Sequence, residues 1–322
     1  MFFLCLLGMG EGKINRIIKK ENINRIQNKT TMKQFLIFTV KTLVLLFLLL
    51  VVLDFLYTTV YLQSSNRGKI EYVYNSVARD YDVVVLGSSR ANNHFVAPMF
   101  EEKGFKTFNY GMSGGHLFEA SLLLKLMVER KYTIKNVILE TDLNLSNEKR
   151  DDGVSSRFLP FIHDSNTIRT HFSEEPDFNE LYYVPFYRYV SFDSKIGFRE
   201  LYKTLVNEPT TYLTRSGYYP LGAKKGNMKN DITNLKPLRN KYYEEIKQLC
   251  KDNDINLIAV MTPMCTNTKG LNYFEKVQQL YPEIHNYEKA VDGDQYFSSC
   301  GHLNDSGARL FTSILIKDFF NK

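Results

Sequence analysis

The apolar positions along the chain fall into two regimes. "FLIFTVKTLVLLFLLLVVLDFLYTTVYL", Phe35 to Leu62, is a long, nearly continuous run that predicts a helix able to cross a bilayer. Beyond it the apolar runs are short and bounded by polar or Gly positions. "DVVVLG" (82–87), "NVILETD" (136–142) and "INLIAVMTP" (255–263) have the length and aliphatic character of buried strands, and "KTFNYG" (106–111) follows the first of them after a helix-length segment. Between and after them, "HLFEASLLLKLMVER" (116–130), "NKYYEEIKQLCKDND" (240–254), "NYFEKVQQLY" (272–281) and "NDSGARLFTSILIKDFF" (304–320) show helical spacing. Strand and helix alternate, which predicts a parallel sheet covered on both faces, a flavodoxin-like three-layer α/β/α sandwich after one transmembrane helix.

One segment breaks the alternation. Residues 143–230 are too long for a loop, and "RFLPFI", "LYYVPFYRYVSF" and "GFRELYKTL" make them aromatic and partly helical. The segment leaves the sheet at a strand C-terminus, where insertions border the binding crevice, and reads as a substrate-facing cap, with an elaboration that only packs as the other reading. The predicted organisation is thus a basic N-terminus over 1–34, an anchor over 35–62, a tether with a short lead-in helix over 63–80, and the sandwich over 81–322.

Charge places the anchor. Of a net charge of +6, residues 1–33 hold seven Lys/Arg against two Glu, Lys41 and Asp54 cancel, and +1 is left for the rest. The basic balance belongs to the N-terminus and gives no footprint for nucleic acid. The positive-inside rule then puts the N-terminus in the cytoplasm and the large domain outside. A secretory signal peptide is the alternative, but no small-x-small cleavage site follows "LYTTVYLQSS". Met32 opens "MKQFLIFTVKTLV", a natural start for such an anchor, so residues 1–31 read as an over-extended start. Chemistry from metals is not suggested: the four cysteines form no CxxC and no Cys/His cluster of zinc-site spacing. Neither a cofactor nor a metal is expected.

Candidate chemistry sits after the strands. "LGSSRANNH" (86–94) puts two serines where a strand gives way to a helix, so a hydroxyl stands at the open sheet edge near helix-start N–H groups. A helix cap and turn would use the same residues. "FNYGMSGG" (108–115) offers backbone N–H donors unobstructed by side chains, and equally a tight turn. "YFSSCGHLNDSGARLF" (296–311) places His302 in the loop before the last helix, with Asn304 or Asp305 as its cap. In a doubly wound sheet that loop can face the first strand's end, pairing Ser and His as nucleophile and base.

Taken in order, Gly87-Ser88-Ser89-Arg90, Asn109-Tyr110-Gly111-Met112-Ser113-Gly114 and His302-Leu303-Asn304 with Gly307-Ala308 resemble the SGNH (GDSL-type) hydrolases. The likeness is closest to a membrane-anchored bacterial branch acting on cell-envelope glycans, and covers roughly 81–145 and 236–320. It implies Ser89 as nucleophile, His302 as general base, and the N–H groups of Ser89 and Gly114 as the oxyanion hole. Two positions depart from the pattern. The family's oxyanion asparagine falls on Asp142, a carboxylate that would repel an oxyanion unless protonated or turned away. The acid three residues before the histidine is Ser299, which leaves a Ser-His dyad supported by a carbonyl or by Asp292 or Asp294.

Arg90 could hold a substrate carboxylate or phosphate, and His94 reads as structural. By fold analogy with the same family, Cys265 and Cys300 fall toward the same sheet edge, where a disulfide and two free thiols both stay open. The implied function is a membrane-anchored extracytoplasmic serine esterase or O-acyltransferase acting on acyl esters of a cell-surface polysaccharide. Its partners would be an acylated saccharide and the membrane. The alternative is a non-catalytic envelope protein of the same fold that binds glycan or a partner.

Overall fold

The computed structural model describes residues 11–64, 67–223 and 228–320. It divides into two units, residues 1–55 and 56–322. The first is the greater part of helix α1 (Glu11–Gln63), a 53-residue helix. α1 is long and apolar enough to cross a membrane, by length and composition. From Phe35 to Leu56 nearly every side chain is exposed.

The last two turns of α1 do not continue that pattern. Tyr61 is buried, its ring stacks on Tyr189 at 6.2 Å, and the Thr58 hydroxyl lies 2.8 Å from that of Tyr189. The apolar run predicted to span to Leu62 therefore ends as part of the globular unit's own packing. The expected tether is likewise folded. α2 (Lys69–Tyr74) buries Lys69, Ile70, Glu71, Val73 and Tyr74.

Five parallel strands form the central sheet: β1 (Asp80–Leu86), β2 (Thr107–Asn109), β3 (Thr133–Glu140), β4 (Asn256–Met261) and β5 (His285–Asn286). Their spatial order is β2-β1-β3-β4-β5, with β1 and β3 paired from Asp80 opposite Thr133 to Leu86 opposite Leu139. This is the doubly wound arrangement that the alternation predicts. Strand side chains alternate between faces, so each strand feeds two cores. Val84, Leu86, Val137, Leu139 and Met261 belong to one cluster with α4 (Leu117–Glu129) and α5 (Lys241–Asp252). Val83, Val85, Ile138 and Val260 belong to the other, with α3 (Ser89–His94) and α6 (Asp305–Phe319). Val83 to Leu86 are fully buried on both sides. Each such aliphatic side chain contributes about 1.5–3 kcal/mol by leaving water. A carboxylate at Val84 would break the sheet at its centre.

The long segment after β3 folds into short helices such as Asn166–Phe172 and Phe198–Leu205. Its apolar residues Phe158, Phe161, Ile168, Phe172 and Leu181 join the α4 side of the core. Only its ends, Leu143 and Asn144 at one and Lys229 and Asn230 at the other, border the crevice at the strand C-termini. The middle packs rather than capping that crevice, which corrects the expectation of a substrate-facing segment.

Candidate active site

β1 delivers the first component. Its C-terminus turns at Gly87, where φ is +137° and a Cβ would meet Glu140 Oε2 at 2.7 Å, so only glycine fits. Ser88 then caps α3, its Oγ accepting from Arg90 N at 3.2 Å. With Ser88 committed to the cap, Ser89 begins the helix with its hydroxyl toward the cleft.

The second component comes from the other end of the chain. Phe297–Ser299 and His302–Leu303 form a small antiparallel pair just before α6, and that hairpin carries His302 to the sheet edge. Ser89 Oγ lies 2.8 Å from His302 Nε2. The opposite ring nitrogen, Nδ1, lies 3.3 Å from Ser299 Oγ. Nδ1 donating to Ser299 leaves Nε2 unprotonated, ready to accept the Ser89 proton. Burial, and then the Arg90 charge, pull the His302 pKa down to about 4, so the imidazole is neutral at pH 7.

Three devices hold the His302 loop. Cys265 and Cys300 are joined in a disulfide with Cα atoms 4.7 Å apart. Beside it, Cys265 N donates to Cys300 O at 3.2 Å. Leu303 N donates to His94 Nε2 at 3.0 Å, and His94 Nδ1 lies 2.9 Å from Thr262 Oγ1. His94 is fully buried, its pKa held well below the usual range by burial first and then by Arg90. It is structural, as expected, and its work is to fix the backbone next to His302.

The glycine loop supplies the third component. Gly114 has φ +91° and borders the same cleft, a cavity of about 410 Å³ shared with Ser89 and His302. Asn109 shapes the start of this loop: its Oδ1 accepts from Gly111 N, and its Nδ2 donates to Ala91 O and Phe95 O. Lys69 braces it from behind. Its buried Nζ donates to Gly111 O, Gly217 O and Asn92 Oδ1, each at 2.8 Å. Desolvation holds the Lys69 pKa well below its ordinary value.

Five expected supporting residues are not turned to the dyad. Arg90 is turned inward, donating to Thr262 Oγ1, Thr262 O and Pro263 O and pairing with Asp142, so its guanidinium is spent on the protein. Asp142 is fully buried and accepts from Thr262 N and Oγ1 at 2.5 and 2.7 Å, away from the cleft. Asn304 caps α6, accepting from Gly307 N and donating to Gln295 O. Asp292 and Asp294 are exposed and make no hydrogen bond to His302, so neither replaces the missing acid.

Two residues in the cleft escape a reading by motif. The fully buried Glu140 ends β3 beneath the serine turn, accepting from Ser88 N at 2.8 Å and Ser88 Oγ at 2.6 Å. Burial, and then the neighbouring Asp142, push its pKa up to about 8. Asn144 follows in the turn Asp142–Ser146 and borders the cleft, its Nδ2 held only at 3.5 Å by Glu140 Oε1. A polar residue closing an aliphatic strand, with an asparagine four residues on, is the signal that could have found both.

No family model matches the chain, and no curated protein matches it. Among solved structures, 17 chains match. One, from Streptococcus pneumonia and provisionally described as a platelet activating factor, is 13% identical, with 88% of this chain and 98% of that one covered and a TM-score of 0.33. A superposition that loose lends nothing to fold or function, which rest on this chain's own geometry.

Proposed function

We propose that the chain is a serine esterase or O-acyltransferase of the SGNH type, acting on acyl esters of a cell-surface saccharide and held at a membrane by α1. The observation that carries this reading is the 2.8 Å contact between Ser89 Oγ and His302 Nε2 at the open edge of a parallel sheet. Ser89 Oγ attacks the acyl carbon as its proton passes to His302 Nε2. The oxyanion receives the backbone N–H groups of Ser89 and Gly114. Asn144 supplies the side-chain amide in place of the inward-turned Asp142. The bond to the saccharide oxygen then breaks, and His302 returns the proton to that leaving oxygen. Water or a second sugar hydroxyl then attacks the acyl carbon as its proton passes to His302 Nε2, and that proton returns to Ser89 Oγ as the bond to it breaks.

Seven basic residues before the anchor support an inside N-terminus and an outside domain. The Cys265–Cys300 disulfide fits an oxidising compartment. A fluorophosphonate probe should label Ser89 and leave Ser89→Ala unlabelled; a folded wild type that stays unlabelled would sink the enzyme. A reporter fused after Lys322 should be active only outside, and cytoplasmic activity would remove the envelope substrate.

A second reading draws on Ser299. Its neutral hydroxyl at 3.3 Å stabilises an imidazolium far less than a carboxylate would. On that reading the cleft binds an envelope saccharide without turning it over, and saccharide binding would persist where labelling fails.

A further inference from the structure

Phe186 stands where α1 joins the globular unit. Its ring meets Tyr57 edge-on with centroids 4.8 Å apart, and Tyr189 meets Tyr57 at 5.1 Å and Tyr61 at 6.2 Å. Phe186 adopts φ +65°, a left-handed conformation that a bulky side chain rarely takes. With the chain turned there, Phe186 and Tyr189 pack inward while their neighbours Tyr183, Val184, Tyr187 and Val190 are exposed, Tyr183 at 69% and Val190 at 64%.

A second exposed group borders the same junction. The helix Phe198–Leu205 packs Leu201 and Thr204 inward and presents Phe198, Tyr202 and Leu205 outward, at the i, i+4, i+7 spacing of one helix face. Arg67, just past the end of α1, fixes that helix by pairing with Glu200 at 2.9 Å and donating to Glu208 O at 2.9 Å. A single exposed apolar side chain needs no explanation, but two clusters around one junction do.

The length of α1 says what covers them. Its exposed apolar run from Phe35 to Leu56 is about 33 Å of helix, close to the roughly 30 Å of a bilayer's hydrocarbon core. A span so placed ends at Leu56, next to Tyr57. Side chains that touch Tyr57 and Tyr61 then lie within about 8 Å of helix rise from that end, at the depth of the lipid headgroups. Tyrosines among apolar residues suit that depth, because the ring enters the acyl boundary while the hydroxyl stays among the headgroups.

We infer that this face of the globular unit is seated on the lipid bilayer: Tyr183, Val184, Tyr187 and Val190, together with the Phe198, Tyr202 and Leu205 stripe, enter the headgroup region around the exit of α1. The inference rests on the reading of α1 as a membrane anchor and not on the esterase. The unit is then held by a surface as well as by a leash, which fixes the orientation of the Ser89–His302 cleft above the membrane.

The chain contains no tryptophan, so single tryptophans report without background. The test reconstitutes the full chain, dilute, in vesicles of phosphatidylcholine and phosphatidylglycerol, with and without bromines along the acyl chains. Tyr187→Trp and Phe198→Trp probe the face, Leu46→Trp probes the apolar run, and Leu310→Trp, exposed on α6 at the other face of the sheet, is the control. Both face variants should emit to the blue of Leu310→Trp and lose about half their intensity or more to the bromines, while Leu310→Trp keeps its own. Unquenched emission from the face variants, matching Leu310→Trp, would overturn the seating. Blue-shifted emission that the bromines leave untouched would also overturn it, since a second copy rather than lipid would then cover the face. Quenching at Leu46→Trp alone would uphold the anchor and overturn the seating. Quenching at the face without Leu46→Trp would uphold the seating and overturn the anchor, so the two claims fail separately.

Discussion

Arg90 Nε lies 2.5 Å from Asp142 Oδ2, and neither side chain is more than 6% exposed. Arg90 was a candidate for a substrate anion and Asp142 fell at the oxyanion asparagine's position; instead the two meet each other. Removing one partner leaves a buried charge uncompensated, at a cost of about 3–5 kcal/mol. Asp142→Asn should therefore unfold at markedly lower urea than wild type, whereas Arg90→Met combined with Asp142→Leu should recover much of the loss. A single variant as stable as wild type would show that the pair contributes nothing.

Asn144→Ala tests the donor that replaces the expected asparagine at 142. Loss of one oxyanion donor lowers kcat by about 10²–10³-fold. KM for a small ester should change little, because the interaction is made mainly in the transition state. Unchanged kcat would mean that the backbone N–H groups of Ser89 and Gly114 suffice.

Ser299 offers His302 Nδ1 a neutral partner at 3.3 Å. Ser299→Ala should lose about 0.5–1.5 kcal/mol, the net worth of such a hydrogen bond, and so at most roughly tenfold in kcat/KM. Ser299→Asp should raise turnover of a small ester, because a carboxylate stabilises the imidazolium as it forms. A slower Ser299→Asp would mean that the loop cannot seat a carboxylate against the ring.

Acid and alkali should act on different residues. His302, half-buried and facing Arg90, is held down to about 4, so kcat/KM should climb with pH through about 4 rather than through 6.5. Glu140 titrates near 8, and a carboxylate forming beneath the serine turn opposes the oxyanion, so activity should fall above about 8. Glu140→Gln should erase the falling limb alone. Stability follows the same shifts with opposite signs. The Glu140 contribution is complete below about 4.5 and is lost as pH rises through 8. The His302 contribution is complete above 6.5 and is lost as pH falls toward 4.

Ser89, Gly114 and His302 were legible because each follows a strand end or opens a helix, and because their motifs resemble those of the SGNH hydrolases. The parallel sheet was legible because three of the five strands are short aliphatic runs separated by helical ones. β5 was not, because two residues, His285 and Asn286, carry no hydrophobic pattern. The directions of Arg90 and Asp142 were not legible either. They depend on the phase of a six-residue helix and of the turn Asp142–Ser146, which sends one side chain inward and brings Asn144 to the cleft two residues later. Lys69 was hidden by its surroundings: a lysine just after an apolar anchor reads as solvated, whereas here three oxygens enclose it.

The disulfide makes the hold on the His302 loop depend on the redox state of its compartment. Until Cys265 and Cys300 are oxidised, the hairpin bearing His302 lacks its covalent tie to the end of β4, so a chain held in a reducing compartment would fold its sheet before its dyad is secured. Mispairing is discouraged by the remaining described cysteine: Cys250 is buried, and desolvation lifts its thiol to about 12, leaving almost no thiolate to enter exchange. Export would then do more than deliver the domain to its substrate. On the proposed topology it would also let a covalent tie form beside the two hydrogen bonds that already hold the His302 loop.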